Sequence, residues 1–372
     1  MFVDAIFNAR KVKFAVLDKL RLINPDTQMA LVFINLESVF NRLMQARINN
    51  YVTACIKNKD DKNLFQLSMI SNIVNIAQHY RLYFAKCRVD SRIILYWNYP
   101  TSTEYNNRQY ILDYRSKWNI KMFHDDECRF LTESVSDIYT LLHKIIYFIN
   151  EVYLVDGGNV ESSLIPLILE KEAYSDYKTA QKIIISDSKY DFQYVNYGYT
   201  VLESSRDDSK LVTRDNVISL LKEKNNIKSK IEIPPGLYPF VASLMGDRHR
   251  DIPKISGVGL STILKMANRA LENKAITENT IDIDMLTRII TPQYQDIFRK
   301  NYRCTSLDYQ LKDVTPLDIS KIRSQIIDKF DDRTLNQMNE RYFIQCPLML
   351  IDTRTDQTLG AYRGNTINWD KR

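Results

Sequence analysis

The chain has 372 residues, enough for one large or two intimate domains around a full core. Its 45% hydrophobic and 26% charged residues are a globular composition, and no apolar run of about 18 residues offers a membrane span. A net charge of +6 permits nucleic-acid binding without demanding it.

The start, Met1-Phe2-Val3-Asp4, lacks a signal-peptide layout. Five cysteines, Cys55, Cys87, Cys128, Cys304 and Cys346, are scattered singly, which argues for reduced thiols in a cytoplasmic setting and against a zinc site. Nine glycines against 23 tyrosines, with abundant Ile, Asn and Lys, suggest an AT-rich genome such as that of a phage.

In chain order, residues 1–28 read as a helical extension. Met29 to Asn35 (M-A-L-V-F-I-N) is a buried strand, followed by helical spacing of Val39, Phe40, Leu43 and Met44. Lys57 to Lys62 is a polar loop, Ser68 to Phe84 an amphipathic helix, and Arg92 to Trp97 (R-I-I-L-Y-W) a second buried strand. Tyr105 to Trp118 mixes basic and aromatic residues. A third strand ends at Val152-Tyr153-Leu154-Val155, turns at Asp156-Gly157-Gly158, and leads into a helix over Ser162 to Glu172 whose Pro166 fits only the first turn. Lys182 to Ser186 is a fourth strand. Glu203 to Asp215 reads as a charged connector and Lys222 to Lys230 as a basic, mobile loop. Residues beyond Asn273 are helical and charged, with Tyr342 to Ile351 a last strand. The alternation of strands and helices predicts a mostly parallel α/β sheet with helices on both faces and a crevice at the strand carboxyl ends.

Pro235 to Ala270 is the most informative stretch. An apolar run, Leu237 to Leu244, enters a turn at Met245-Gly246-Asp247. Then come Ile252-Pro253, a second turn at Gly257-Val258-Gly259, and a helix from Leu260 with Ile263, Leu264 and Ala267 on one face. Glycines permit tight turns and close backbone approach, and the following helix start offers N–H groups to an anion. This is the grip of a helix-hairpin-helix on a nucleic-acid phosphate, which reads no bases. A bare Gly-x-Gly fits an ordinary helix corner equally well. The longer phrase G-D-x-x-x-D-I-P-x-I-x-G-V-G resembles that of the flap-endonuclease superfamily, the phage and bacterial 5′ nucleases.

The resemblance implies a PIN-like core over 29–215 behind the 1–28 extension, a helix-hairpin-helix subdomain over 216–300, and C-terminal helices and tail over 301–372. It also implies a two-metal site, and there the match fails residue by residue. Asn35 and Asn98 stand at strand ends where the family carries aspartates. Ser162 and Ser163 fall on the two aspartates of the helix-start motif, and Ser188 and Tyr190 on the pair beyond the fourth strand. Arg250 falls on the metal-facing aspartate of the hairpin, although Asp247 is retained. Ions roughly 3.5–4 Å apart need several carboxylates, and neutral Asn, Ser and Tyr oxygens hold Mg2+ feebly. An arginine there opposes each unit of metal charge by roughly 4 kcal/mol at 4 Å and an effective dielectric near 20.

The resemblance therefore points to a pseudo-nuclease that binds duplex or branched DNA without sequence preference, in a phage replication or transcription assembly, with no membrane and no required cofactor. Its DNA contacts are expected at Lys254, Gly257, Val258, Gly259, Lys265 and Arg269, with Arg108 and Arg115 from the basic segment. A K+ ion at the Gly257–Gly259 hairpin completes the family's grip. One alternative is an active Mg2+- or Mn2+-dependent 5′-3′ exonuclease or flap endonuclease using displaced acids Glu161, Asp187, Asp191, Asp247 and Asp251, although such residues are also common in turns and caps. Another is a protein-interaction subunit of a viral assembly that kept only the fold.

Overall fold

The structure, a computed structural model, describes residues 12–36, 39, 61–98, 129–147, 149, 151–204, 209–247, 252–272, 283–326, 349–351 and 358–361. Its centre is a sheet of six strands: β1 (Met29–Asn35), β2 (Asp90–Trp97), β3 (Val152–Asp156), β4 (Gln181–Ser186), β5 (Thr200–Glu203) and β6 (Lys210–Val212). Their order is β3-β2-β1-β4-β5-β6, parallel except for the antiparallel edge strand β6. The four strands expected to be neighbours are neighbours. The order reverses between β1 and β4, the switch point outside which open α/β sheets place their ligand crevice.

The central strands read as continuous apolar runs because both faces are covered. Leu31, Phe33, Ile94, Tyr96, Tyr153, Val155 and Ile184 face one core, and Ala30, Val32, Ile34, Ile93, Leu95, Trp97 and Ile185 the other. The second core is closed by α1 (Phe14–Leu20), α2 (Asp61–Lys86) and α3 (Arg129–Tyr147). The first is closed by α4 (Ile165–Glu172), α5 (Val217–Lys224) and the hairpin helices α6 (Tyr238–Met245) and α7 (Leu260–Glu272). Beyond these come α8 (Ile283–Arg288), α9 (Gln295–Thr305), α10 (Leu307–Leu311) and α11 (Pro316–Arg323). Pro166 lies in the first turn of α4, as its missing N–H requires.

Three expectations are corrected. The connector Glu203 to Asp215 contains β6, which pairs Leu211 with Leu202 and Val212 with Val201. The helix expected from Ser68 starts at Asp61, inside the expected polar loop, and runs to Lys86. The Lys222–Lys230 loop begins inside α5, and Lys222 is buried, its ammonium donating to Ser229 O at 3.3 Å, Ile231 O at 3.1 Å and the Glu232 carboxylate. That lysine fastens the loop to its own helix and does not face a ligand. In the C-terminal tail, Met349–Ile351 forms β7 and pairs with β8 (Thr358–Ala361), apart from the main sheet. Residues 342–348 of the expected last strand lie outside the described residues.

Two buried amides join the hairpin helices to the rest. Asn301 donates to Ser243 O and Pro253 O, both at 2.8 Å, tying α9 to the end of α6 and to the hairpin loop. Gln193 donates to Tyr190 O at 3.0 Å and Thr305 O at 2.9 Å and accepts from Leu307 N at 3.1 Å. It thereby clips the 3-10 segment Lys189–Tyr197 to the junction of α9 and α10.

Candidate nucleic-acid interface

At the crevice, Asn35 ends β1 and donates its amide to the Asp191 carboxylate at 2.8 Å. Asp191 is only 1% exposed. It sits in the 3-10 segment after β4, whose start is capped by Ser188, the hydroxyl accepting from Tyr190 N. Asn98 follows β2. Its Nδ2 donates to Val160 O at 2.7 Å and its Oδ1 accepts from Ser162 N, so both ends of the amide hold the turn after β3. The turn needs glycine at 157, where a Cβ would meet Val160 O at 2.3 Å and Asn98 Nδ2 at 2.7 Å. Tyr194 donates its hydroxyl to Ser163 O, joining this turn to the segment that carries Asp191. Asn35, Asn98, Ser162, Ser163, Ser188 and Tyr190 thus belong to one linked network, all but Ser188 buried.

Glu161 is buried at the entry to the 3-10 turn Ser162–Leu164, where its carbonyl accepts from Leu164 N at 2.8 Å. Asp187 is half-buried. Asp156 accepts from the Tyr139 hydroxyl at 2.9 Å and from Gly158 N at 3.0 Å. Asp247 pairs through its backbone with Ile252, N to O in both directions at 2.9 Å. Burial above all, then the charges of Asp247, Asp191 and Glu203, push the Tyr238 hydroxyl well above the usual tyrosine range. Those three acids therefore lie within electrostatic reach of one phenol.

Among the described residues no three His, Cys, Asp or Glu side chains gather into a set able to hold a metal ion. Among the described residues, the strand-end side chains offer amides where a pair of divalent ions needs carboxylates: the Asn35 N–H faces Asp191, and the Asn98 oxygen accepts from a backbone amide. Arg250 and Asp251 lie outside the described residues, as do Arg108 and Arg115.

The hairpin unit turns at Gly246, whose φ of 70° and crowded surroundings exclude a side chain. A Cβ there would meet Lys254 N at 2.5 Å and Ile252 O at 2.6 Å. Ile255 N bonds Leu244 O at 3.2 Å, and Val258 N bonds Ile255 O at 3.3 Å, shaping the second turn at Gly257 with φ 75°. Gly259 then precedes α7, and a Cβ on it would meet nothing within 4 Å. Gly257 and Gly259 are exposed, and among the described residues no backbone acceptor engages their amides. Lys254, Lys265 and Arg269 are exposed as well, the last two one turn apart on the outer face of α7. Leu260, Ile263, Leu264, Ala267 and Ala270 bury the inner face.

Sequence reasoning missed Lys224, Glu203, Tyr238 and Gln193. Lys224 pairs with the Glu203 carboxylate at the end of β5, and a strand recognised at Thr200–Glu203 would have marked Glu203 as a crevice residue.

The mostly parallel sheet with this switch point, carrying the hairpin unit on one face, is an architecture that the chain shares with a solved flap endonuclease. Among solved structures the chain is similar to the flap endonuclease of bacteriophage T5, crystallised as a pseudo-enzyme in a product complex with DNA and metal ions. That likeness has a TM-score of 0.50 at 12% identity and covers 80% of this chain and 97% of that one. Also similar are the T5 5′-exonuclease with bound zinc (TM-score 0.45, 11% identity, 80% and 98% covered) and the catalytic core of Rad2 with DNA substrate (TM-score 0.42, 11% identity, 92% and 94% covered). No family model matches the chain, and no curated protein sequence does. Among the described residues no helix is long and apolar enough to cross a membrane.

Proposed function

We propose that this chain is a catalytically inactive relative of the 5′ nucleases that holds DNA by its backbone, without regard to base sequence, in phage replication or transcription. The observation that carries the reading is the pair of exposed glycines before α7, with unengaged amides and open space at Gly259, flanked by exposed Lys254, Lys265 and Arg269. Backbone N–H groups at a helix start, helped by lysine and arginine, suit a phosphate and carry no sequence information. K+ held at the Gly257–Gly259 turn is part of the proposal. The DNA and metal ions named with the T5 flap endonuclease belong to that protein, and they lend the DNA-binding reading its context.

Inactivity is supported by the use already made of the crevice side chains. Asn35 answers the charge of Asp191 with an amide, and Asn98 holds its turn with both ends of its amide, so neither brings a carboxylate to Mg2+ or Mn2+. One observation favours the second reading, an active nuclease: behind burial, the charges of Asp247, Asp191 and Glu203 all push the Tyr238 hydroxyl up, so three acids act on one phenol. With Asp251 and Glu161 they would have to supply both ions, and the cleavage assay decides between the readings.

The test is fluorescence anisotropy on duplex, 5′-flap and single-stranded DNA of two unrelated sequences. The expected result is binding to duplex or flap that ignores sequence and weakens as salt rises. Lys254→Ala should remove about one unit of the salt slope. Binding to none of the three at low salt would sink the proposal and favour a protein-interaction subunit.

A further inference from the structure

A tyrosine from outside the hairpin reaches its second turn. The Cβ that Gly257 lacks would lie 3.8 Å from the Tyr294 hydroxyl oxygen. Tyr294 ends the 3-10 turn Pro292–Tyr294 and stands at the N-cap of α9. Its own N–H bonds Thr291 O at 2.8 Å, and Gln295 beside it donates to Ile290 O at 3.0 Å. Further along α9, Phe298 rests on Phe240 of α6, and Asn301 bonds both Ser243 O and Pro253 O. The helix that carries the tyrosine is thus fastened to α6 and to the hairpin loop, which holds the ring beside the turn. The hydroxyl is not used in that fastening. It makes no capping bond, and among the described residues it has no hydrogen bond at all. Other tyrosines of the same core do spend theirs: Tyr194 on Ser163 O, Tyr197 on Asp308, Tyr199 on Glu170 and Tyr238 on Lys189 O. Tyr294 is also only half-buried, at a turn whose two glycines are exposed.

Resting on the reading that the Gly257–Gly259 turn holds a DNA phosphate, we infer that Tyr294 gives that phosphate a hydrogen bond from its hydroxyl. Tyrosine hydroxyls are ordinary donors to phosphate oxygens and carry no base information there, which suits a grip indifferent to sequence. A ring has only two side-chain torsions to fix, so little freedom is lost when its tip meets a ligand. The contact differs in kind from those of Lys254, Lys265 and Arg269, because it adds a directed donor without adding charge. The start of α9 is not itself the anion site, since its first turn carries the exposed acid Asp296. The grip on DNA then has two parts, the backbone amides of the hairpin and one side chain brought to them by the following helical layer.

The test is Tyr294→Phe, which removes one oxygen and keeps the ring. Binding to duplex DNA is followed by anisotropy through a KCl series, with thermal melting beside it. The variant should melt with the wild-type chain and bind roughly tenfold more weakly, the loss of one hydrogen bond to a charged group. Its salt slope should stay that of the wild type, because a neutral donor releases no counterion, whereas Lys254→Ala lowers the slope. Equal affinity of Tyr294→Phe and wild type overturns the inference. So does weaker binding accompanied by a melting temperature several degrees lower, which would give the hydroxyl a part in holding the hairpin. Tyr294→Phe/Gly259→Ala checks that both changes act on one phosphate: the double variant should lose less than the product of the two single losses. A full product would place the hydroxyl elsewhere and overturns the shared contact. The two failures are separable. A wild-type chain that binds no DNA at low salt removes the DNA-binding reading and this inference with it, whereas a wild-type chain that binds no better than Tyr294→Phe removes only the role of Tyr294.

Discussion

Asn98 shows what the change from acid to amide does at the level of one residue. Its N–H faces Val160 O and its oxygen faces Ser162 N, a pairing that a carboxylate cannot reproduce because it has nothing to donate. Asn98→Asp should therefore cost about 1–3 kcal/mol, the usual penalty for a buried group left unanswered. It should appear as a lower urea midpoint with unchanged slope, and an unchanged midpoint would refute the assignment. Asn35 makes the same point against a charge. Its amide lies 2.8 Å from Asp191, so Asn35→Asp sets two carboxylates side by side and should destabilise more than Asn35→Ala, which merely removes the bond. Equal losses by urea denaturation would contradict that order. Neither contact was legible in the sequence, because Asn35 and Asp191 are 156 positions apart and only the folded sheet brings them together. What the sequence did carry was the type of residue at each strand end.

Among the elements, the two turns of the hairpin unit should separate folding from binding. Gly246→Ala would drive a methyl into the backbone of Lys254 and Ile252 at a φ of 70°, so it should unfold the hairpin. Gly259→Ala enters open space and should cost under about 1 kcal/mol as a change of N-cap, yet it obstructs the close approach of a phosphate. Near-normal melting with weakened DNA binding is the expected signature, and full binding by Gly259→Ala would remove that glycine from the interface. Phe298 is wholly buried, its ring 5.6 Å from that of Phe240, and Phe298→Ala should cost about 3–5 kcal/mol in thermal or urea unfolding. The elements that were legible share one cause. β1, β2, β3 and β4 are covered on both faces, so each reads as an apolar run, whereas β6 has three residues at the sheet edge, flanked by Ser209 and Thr213, and carries almost no periodicity. The hairpin was legible through its glycines, since Gly246 and Gly257 hold positive φ. Lys222 and Lys224 were misread because a run of lysines looks solvated until a helix folds two of them inward.

For the whole molecule, a net charge of +6 supplies only a modest long-range field, so binding depends on where the cations stand. Lys254, Lys265 and Arg269 lie at or beyond the hairpin turn, while the crevice is occupied by amides, hydroxyls and the Lys224–Glu203 pair. On the proposed reading the phosphate is held at the hairpin and not in the crevice, so binding should survive the removal of divalent metal. The measurement that tests this most directly is a single-turnover assay on a 5′-flap DNA already saturated with protein, as judged by anisotropy, in EDTA and then in Mn2+. The account predicts the same bound fraction in both buffers and an intact strand in both. A 5′ product released only when Mn2+ is added would contradict it, and would mean that Asp191, Asp247 and their neighbours still assemble a working metal site.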